Sequence, residues 1–268
     1  MANVAVTGST KGIGLGYARE FVKRGHNVFV LGRHPQDVDR VIEELNAMGP
    51  GRANGCVCDV ASKEQVQAVW DRAMEAYGSV DIWVNNAGRA TGRYKVHELP
   101  ASDLLTMAQG NFIGTTYGSQ VALNGMRQQG HGAIYNTLGG AFDGKRLVPN
   151  MGFYSSTKAG INLLTKYMVE ENKDQNIIIG RISPGMLITD NWLEEQKLES
   201  EKQWQSLRPM LNILCDDVET VTPWLVDQIL ANKQSGKRIA WITTGRIMKR
   251  FIAARFGKKR DILSKYGI

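Results

Sequence analysis

Apolar residues along this chain gather in short, near-continuous runs separated by longer stretches of helical character. The runs are Asn3–Thr7, Asn27–Leu31, Gly55–Cys58, Asp81–Val84, Ala133–Thr137, Ile177–Ile182 and Arg238–Ile242. Unbroken apolar runs of strand length suit strands buried on both faces of a parallel sheet. Between them lie helix candidates at Gly14–Arg24, Gln36–Met48, Lys63–Tyr77, Ser102–Arg127, Tyr154–Glu171 and Thr222–Asn232. This alternation predicts an α/β fold: a doubly wound parallel sheet of seven strands with right-handed crossovers. Two stretches fall outside it. Asp190–Asp217 is long and polar but carries Trp192 and Trp204, and the tail after Ile242 follows the last strand. The expected organisation is one domain over residues 1–243, with a helical lid at 190–217, and a basic extension over 244–268.

The composition of 268 residues, 43% hydrophobic, suits one large domain. Net charge is +7, and it is concentrated. Between Arg246 and Lys265 the cations Arg246, Lys249, Arg250, Arg255, Lys258, Lys259, Arg260 and Lys265 face one acid, Asp261. The excess therefore belongs to a tail and not to a nucleic-acid footprint over the body. Thr244–Arg260 reads as an amphipathic basic helix with Ile247, Phe251, Ala254 and Phe256. It would face a sister subunit, solvent or, weakly, an anionic membrane surface. The cysteines, Cys56, Cys58 and Cys215, are too few for a disulfide framework. Cys56 and Cys58 sit within a strand and lack a second Cys/His pair, so they read as buried thiols and no metal site is expected. No apolar stretch approaches the roughly 20 residues that span a bilayer. Nothing after Met1 reads as a signal peptide, so a cytoplasmic location is the default expectation.

The first strand runs into Thr7-Gly8-Ser9-Thr10-Lys11-Gly12-Ile13-Gly14. Glycines at 8, 12 and 14 let the backbone turn tightly and approach a pyrophosphate, and the next helix offers its free N–H groups to that anion. First strand, first crossover and helix in that order point to a dinucleotide site of Rossmann type. The second strand ends Leu31-Gly32-Arg33-His34, with no acid to hold a ribose 2′-hydroxyl. Arg33 and Lys11 suit a 2′-phosphate instead, so NADP(H) is the expected cofactor. Tyr154 and Lys158 stand four apart, on one helix face. A nearby ammonium favours the ionised phenol and makes it a better acid, able to exchange a proton with a carbonyl oxygen.

Together these segments resemble the short-chain dehydrogenase/reductase family, in order and spacing, from Met1 to about Ile242. Thr7–Gly14 resembles its Thr-Gly-x-x-x-Gly-x-Gly loop, Cys58-Asp59-Val60 its adenine-contacting Asp-Val, and Asn85-Asn86-Ala87-Gly88 the turn after its fourth strand. Asn111 resembles its helix asparagine, Tyr154–Lys158 its Tyr-x-x-x-Lys, and Pro184-Gly185 with Thr189 the loop beside the nicotinamide. The resemblance implies hydride transfer between a nicotinamide and a carbonyl carbon, with Tyr154 protonating the oxygen. Lys158 would hold the ribose and keep Tyr154 acidic, and Asn111 would position a water that relays protons to Lys158. It also suggests a homodimer or homotetramer.

One family residue is missing. A Ser is usual after the fifth strand, about thirteen residues before the Tyr, and that position here is Ala141. Aligning on Asn136 instead puts Leu138 and Gly139 where a Ser-Ser pair is common. Thr137 lies too early, and Asp143 and Asn150 read as solvent-loop residues. Losing one oxyanion donor costs about 10²–10³ in rate without abolishing chemistry. A narrower resemblance, to chlorophyll(ide) b reductases, rests on Asn136–Gly144, Ile182–Met186, Leu211–Leu214 before Val221–Val226, and the basic extension. Those enzymes reduce a formyl group on a tetrapyrrole. The expected activity is NADPH-dependent, reversible reduction of a ketone or aldehyde on a hydrophobic ring compound. The alternative is a non-catalytic NADPH-binding regulator.

Overall fold

The computed structural model describes residues 1–145, 147–189, 192–193, 201–257 and 260–267, apart from the side chains of 201–203. Its centre is a parallel sheet of β1 (Asn3–Val6), β2 (Asn27–Gly32), β3 (Ala53–Val57), β4 (Ile82–Asn85), β5 (Gly132–Thr137), β6 (Ile177–Ser183) and a last strand, Arg238–Ala240. The order across the sheet is β3-β2-β1-β4-β5-β6, then Arg238–Ala240 at the far edge. The chain reverses direction of winding between β1 and β4, where open α/β sheets leave a crevice at the strands' carboxyl ends.

Strand periodicity divides the core into two. Val4, Val6, Val28 and Val30 face α1 (Gly12–Lys23), α2 (Pro35–Asn46) and a late helix, Val218–Ala231, while Ala5, Phe29, Leu31 and Trp83 face α3 (Lys63–Tyr77) and the helices after it. Successive side chains of a strand point to opposite faces, so each apolar run feeds both layers. A buried polar seam crosses the second layer. Asn85 Nδ2 donates to Asn136 Oδ1 (2.8 Å) and Ser119 Oγ (3.1 Å) and its Oδ1 accepts from Trp83 Nε1 (2.8 Å). Asn136 Nδ2 in turn donates to Thr165 Oγ1 (2.9 Å). The seam ties β4 and β5 to the two helices that carry the site, and its groups are mutually satisfied, as buried polar networks must be.

Several expected boundaries move. The single helix expected over Ser102–Arg127 is α4 (Ala101–Met107), a π-helical turn (Ala108–Ile113) and α5 (Gly114–Gln129). β3 begins at Ala53, two residues before the expected Gly55. After α6 (Gly152–Glu171) and β6 comes β7 (Met186–Ile188), then α7 (Glu201–Leu214), β8 (Cys215–Asp217), α8 (Val218–Ala231), β9 (Arg238–Ala240) and α9 (Thr244–Arg255). α8 starts four residues before the expected Thr222 and contains Pro223. β7 and β8 pair in parallel as a small second sheet, in which β8 falls at the end of the stretch expected to be a helical lid and β7 just before it. Much of that expected lid, residues 190, 191 and 194–200, lies outside the described residues.

The C-terminal extension is docked, not appended. The Asp216 carboxylate on β8, 2% exposed, receives Arg250 Nη2 (2.8 and 3.0 Å), Arg260 Nη2 (2.7 Å) and Trp241 Nε1 (2.7 Å). Tyr266 Oη donates to Asp217 Oδ1 (2.5 Å), and Leu263 packs fully buried against Ile188, Leu211 and Cys215. A buried carboxylate requires such partners. They join the basic tail to the β7–β8 unit. Among the described residues no helix is long and apolar enough to cross a membrane.

Candidate active site

A cleft of about 280 Å³ opens at the β1/β4 switch point. Its floor is the loop from Gly8 to Gly14. Gly8 (φ +63°) and Gly12 (φ +54°) occupy the left-handed region, and a Cβ on Gly14 would stand 2.2 Å from the Gly8 carbonyl oxygen. Only glycine meets both demands. α1 has neither a side-chain cap nor an acid in its first turn, so its leading N–H groups and positive dipole end remain available to an anion. Thr7 Oγ1 accepts from the N–H groups of Asn86 and Ala87 (both 2.9 Å), and Asn86 Nδ2 donates to the Thr7 carbonyl (3.1 Å). The turn after β4 is thereby sewn to the glycine loop. Asn86 Oδ1, on a residue that lines the cleft, is buried with no hydrogen-bond partner among the described residues, an acceptor left over by the protein's own bonds. A cradle of this shape, ending on amide donors, fits a nicotinamide dinucleotide.

Thr10, Lys11, Gly12, Ile13, Arg33, Asp59, Val60, Ala87, Gly88, Asn111 and Thr189 all line this cleft, as expected of them. Ser9 does not. It is fully buried, and its Oγ accepts from Leu31 N–H (2.9 Å), so it fastens the loop to β2. Pro184 and Gly185 also lie off the cleft lining. Gly185 turns at φ +88°, where a Cβ would strike Ile242. The structure adds His34, Asp37, Arg89 and Thr106, which the sequence pattern did not single out, and Cys58, which it read only as a buried thiol beside Asp59. Asp37 matters because it is an acid lining the same cleft as Arg33. It sits in the first turn of α2, beyond the strand end where an acid was sought, and lies 3.6 Å from Arg40 Nη2. The Cys58 thiol is pushed up to about 12 by burial, so it is an inert part of the wall.

Lys158, Asn111 and Gly88 converge at the inner end. A Cβ on Gly88 would lie 2.7 Å from Asn111 Oδ1 and 3.3 Å from Lys158 Nζ. Lys158 is 4% exposed, and its Nζ donates to the Thr137 carbonyl (3.2 Å) and stands 5.9 Å from the centre of the Tyr154 ring. Burial pulls its pKa down to about 8, because desolvation disfavours the cation. Asn111 falls in the π-helical turn, a local widening often found at functional sites. Its Oδ1 accepts from Arg89 N–H (2.8 Å), and its Nδ2 donates to the Arg89 carbonyl (3.0 Å) and to Thr157 Oγ1 (3.2 Å). The side-chain amide is thus occupied in pinning the strand-to-helix loop against α6.

Tyr154 stands on the other side, in a small pocket with Gly92, Tyr94, Val96, Leu99, Met107, Asn150, Met151 and Phe153. Tyr94 N–H donates to the Asn150 carbonyl (2.8 Å), which joins the two loops that form this wall. A Cβ built on Gly139 would come within 2.3 Å of Tyr154 Oη and 2.8 Å of its Cζ. The space where a family Ser side chain would begin is therefore taken by the tyrosine hydroxyl itself. Thr137 Oγ1 is buried and has no partner among the described residues, and Asp143 is spent on the Lys145 N–H (3.1 Å).

Residues 2–200 match the short chain dehydrogenase family. The chain is 32% identical over 263 residues to "Probable chlorophyll(ide) b reductase NYC1, chloroplastic" of Arabidopsis thaliana, covering 92% of this chain and 51% of that protein. It is 32% identical over 185 residues to 7alpha-hydroxysteroid dehydrogenase of Escherichia coli K12, covering 69% and 71%. The chain thus spans about half the length of the NYC1 relatives it matches. Among solved structures, an actinorhodin polyketide ketoreductase with NADPH superposes with a TM-score of 0.80 at 26% identity over 90% of this chain and 95% of that one. A 7 alpha-hydroxysteroid dehydrogenase complexed with NADH and 7-oxo glycochenodeoxycholic acid does so with 0.77 at 25% over 89% and 92%. With the glycine cradle, the Tyr154–Lys158 pair and these likenesses in agreement, the chain belongs to the short-chain dehydrogenase family of oxidoreductases and resembles its chlorophyll(ide) b reductases.

Proposed function

We propose that this protein is an NADPH-dependent reductase of a ketone or aldehyde borne on a hydrophobic, polycyclic substrate. The observation that carries the reading is the buried Lys158 ammonium, which stands beside Gly88 of the dinucleotide cleft and 5.9 Å from the centre of the Tyr154 ring. NADPH, when bound, supplies a hydride. Tyr154 then gives its hydroxyl proton to the carbonyl oxygen as negative charge grows there, and the buried ammonium favours the phenolate left behind. Lys158 offers further N–H donors besides the one used on Thr137, which suits ribose hydroxyls. The reverse direction, alcohol oxidation, uses the same groups.

The cofactor choice rests on Lys11 and Arg33 at the mouth of the cleft. The substrate class rests on the apolar wall of Tyr94, Val96, Met151 and Phe153, on the exposed Leu147 and Val148 beside it, and on relatives named for tetrapyrrole and steroid substrates. Exposed Leu105, Phe112, Ile113, Leu163 and Tyr167 on α4, the π turn and α6 support a homo-oligomer. The test is NADPH oxidation against a panel of polycyclic ketones and formyl compounds. Tyr154→Phe should lower kcat by about 10²–10⁴ while NADPH still binds. Tight NADPH binding with no turnover across the panel, and no change on Tyr154→Phe, would instead favour the non-catalytic regulator.

A further inference from the structure

Helix α9 is amphipathic the wrong way round. Its inward side is cationic: Arg250 reaches the buried Asp216, and the Arg246 guanidinium stacks 3.8 Å over the Trp241 ring while donating to the Trp241 carbonyl. Its outward side is apolar. Met248 is 59% exposed, Phe251 45%, Ile252 51% and Phe256 79%, and no residue of the helix is buried. Positions 248, 252 and 256 follow the four-residue step that places side chains in one row, with 251 and 255 alongside. Lys249 and Arg255 are exposed on the same helix, and the segment Thr244–Gly257 holds no acid.

We propose that α9 docks this protein on an anionic lipid surface, with Met248, Phe251, Ile252 and Phe256 entering the headgroup boundary and Lys249 and Arg255 meeting lipid phosphates. Four large apolar side chains on one side of the helix need an apolar neighbour, and they are too few for the roughly 800 Å² per partner of a stable protein interface. A two-fold pairing with a second copy would also set this acid-free cationic helix against itself. An anionic bilayer satisfies both features at once, because interfacial helices combine buried aromatic and aliphatic groups with basic residues that add about 1 kcal/mol each. The inward arginines make the helix a fixed platform. They anchor it to β8, which pairs with β7, the strand leading directly to Thr189 on the cleft wall. A lipid-borne carbonyl compound would then reach the site from the surface on which the protein sits.

The experiment is co-sedimentation of the full chain with vesicles of phosphatidylcholine alone and of phosphatidylcholine mixed with phosphatidylglycerol. Binding should require the anionic lipid. It should weaken about fivefold for each of Lys249→Ala and Arg255→Ala. Phe251→Ser with Phe256→Ser should reduce it at least as much, while NADPH affinity stays unchanged and shows that the fold is intact. The inference is overturned if anionic vesicles bring down no protein at low salt, or if the Phe pair can be replaced without loss, which would mean charge alone. It is also overturned if the Phe pair instead abolishes a concentration-dependent dimer in the absence of lipid. None of these readouts depends on turnover.

Discussion

Two glycine-bearing loops follow strands at the same end of the sheet, and glycine does different work in each. After β1, Gly8, Gly12 and Gly14 clear backbone room beside the first turn of α1, so that donors face an open cleft. After β5, Gly139 clears room that another residue already fills, the Tyr154 hydroxyl. The first loop is short and its left-handed positions are glycines. The second runs from Leu138 to Met151 and, besides Gly144 (φ +68°), enters the left-handed region at Ala141 (φ +58°) and Asn150 (φ +61°), which carry side chains. One loop is shaped by what must bind, the other by what must stand inside it. Restoring a family-like serine to the second loop should therefore harm the site.

The sharpest break for that comparison is Gly139→Ser. A displacement of the tyrosine hydroxyl on the order of 1 Å costs about 10² in rate, since the proton donor then misses the substrate oxygen. Carbonyl reduction should fall by about that factor, with NADPH affinity unchanged. Gly139→Ala should do the same, because the harm comes from bulk. Turnover that rises in the serine variant would mean that Tyr154 adapts and that the serine's place was open.

Next in size is the response to pH. Lys158 lies between the end of β5 and the turn after β4, anchored on the Thr137 carbonyl and facing Gly88. Its burial lowers the pKa to about 8, so in the free enzyme it is charged below that pH and neutral above it. Reduction needs the cation, so kcat/KM for NADPH, which reports the free enzyme, should decline above about pH 8, tenfold per unit at the limit. In Lys158→Arg, whose guanidinium stays charged, any remaining activity should lose that decline. A flat profile in the native protein to pH 9 would remove the electrostatic role given to Lys158.

Arg33→Ala tests the first loop's surroundings. A charge-assisted hydrogen bond contributes about 1.5–3 kcal/mol, so NADPH affinity should drop by an order of magnitude or more, with NADH affinity little changed. Asp37 adds interest, because it lines the same mouth. Equal losses for both cofactors, measured by nucleotide fluorescence titration, would mean that Arg33 does not read a 2′-phosphate.

Much of the sheet and the cofactor cleft could be read from the chain, because strand periodicity and the glycine spacing are local signals. Less legible were features set by long-range contacts. The π turn at Asn111 follows from nothing in the run Ala108-Gln109-Gly110-Asn111, and only its bonds to Arg89 and Thr157 explain where that side chain points. β8 is three residues, Cys215-Asp216-Asp217, with two acids, and no propensity argues for a strand there. It exists because Asp216 meets arginines from a segment that sequence alone treats as a tail. Ser9 belongs by its neighbours to the cofactor loop, while its hydroxyl accepts from Leu31 and fastens that loop to β2, a contact that local sequence does not show.

The smallest expected effects compare the loops directly, through mirrored substitutions. Ala141 sits in the left-handed region, which costs an L-residue about 1–2 kcal/mol. Ala141→Gly removes that cost but adds roughly 0.5–1 kcal/mol of chain entropy lost on folding. The net is a gain of about 0.5–1 kcal/mol, or a rise of a few degrees in Tm for a chain of this size. Gly12→Ala is its inverse. A Cβ there would meet nothing nearer than Thr189 Cγ2 at 3.5 Å, an ordinary contact, so the cost is backbone strain alone. It should lower Tm by a similar margin. Opposite signs from two glycine–alanine exchanges at nearly equal φ would show that the second loop holds strain that the first avoids. If Ala141→Gly also lowers Tm, the left-handed alanine is not strained, and the contrast between the loops reduces to the occupied space beside Gly139.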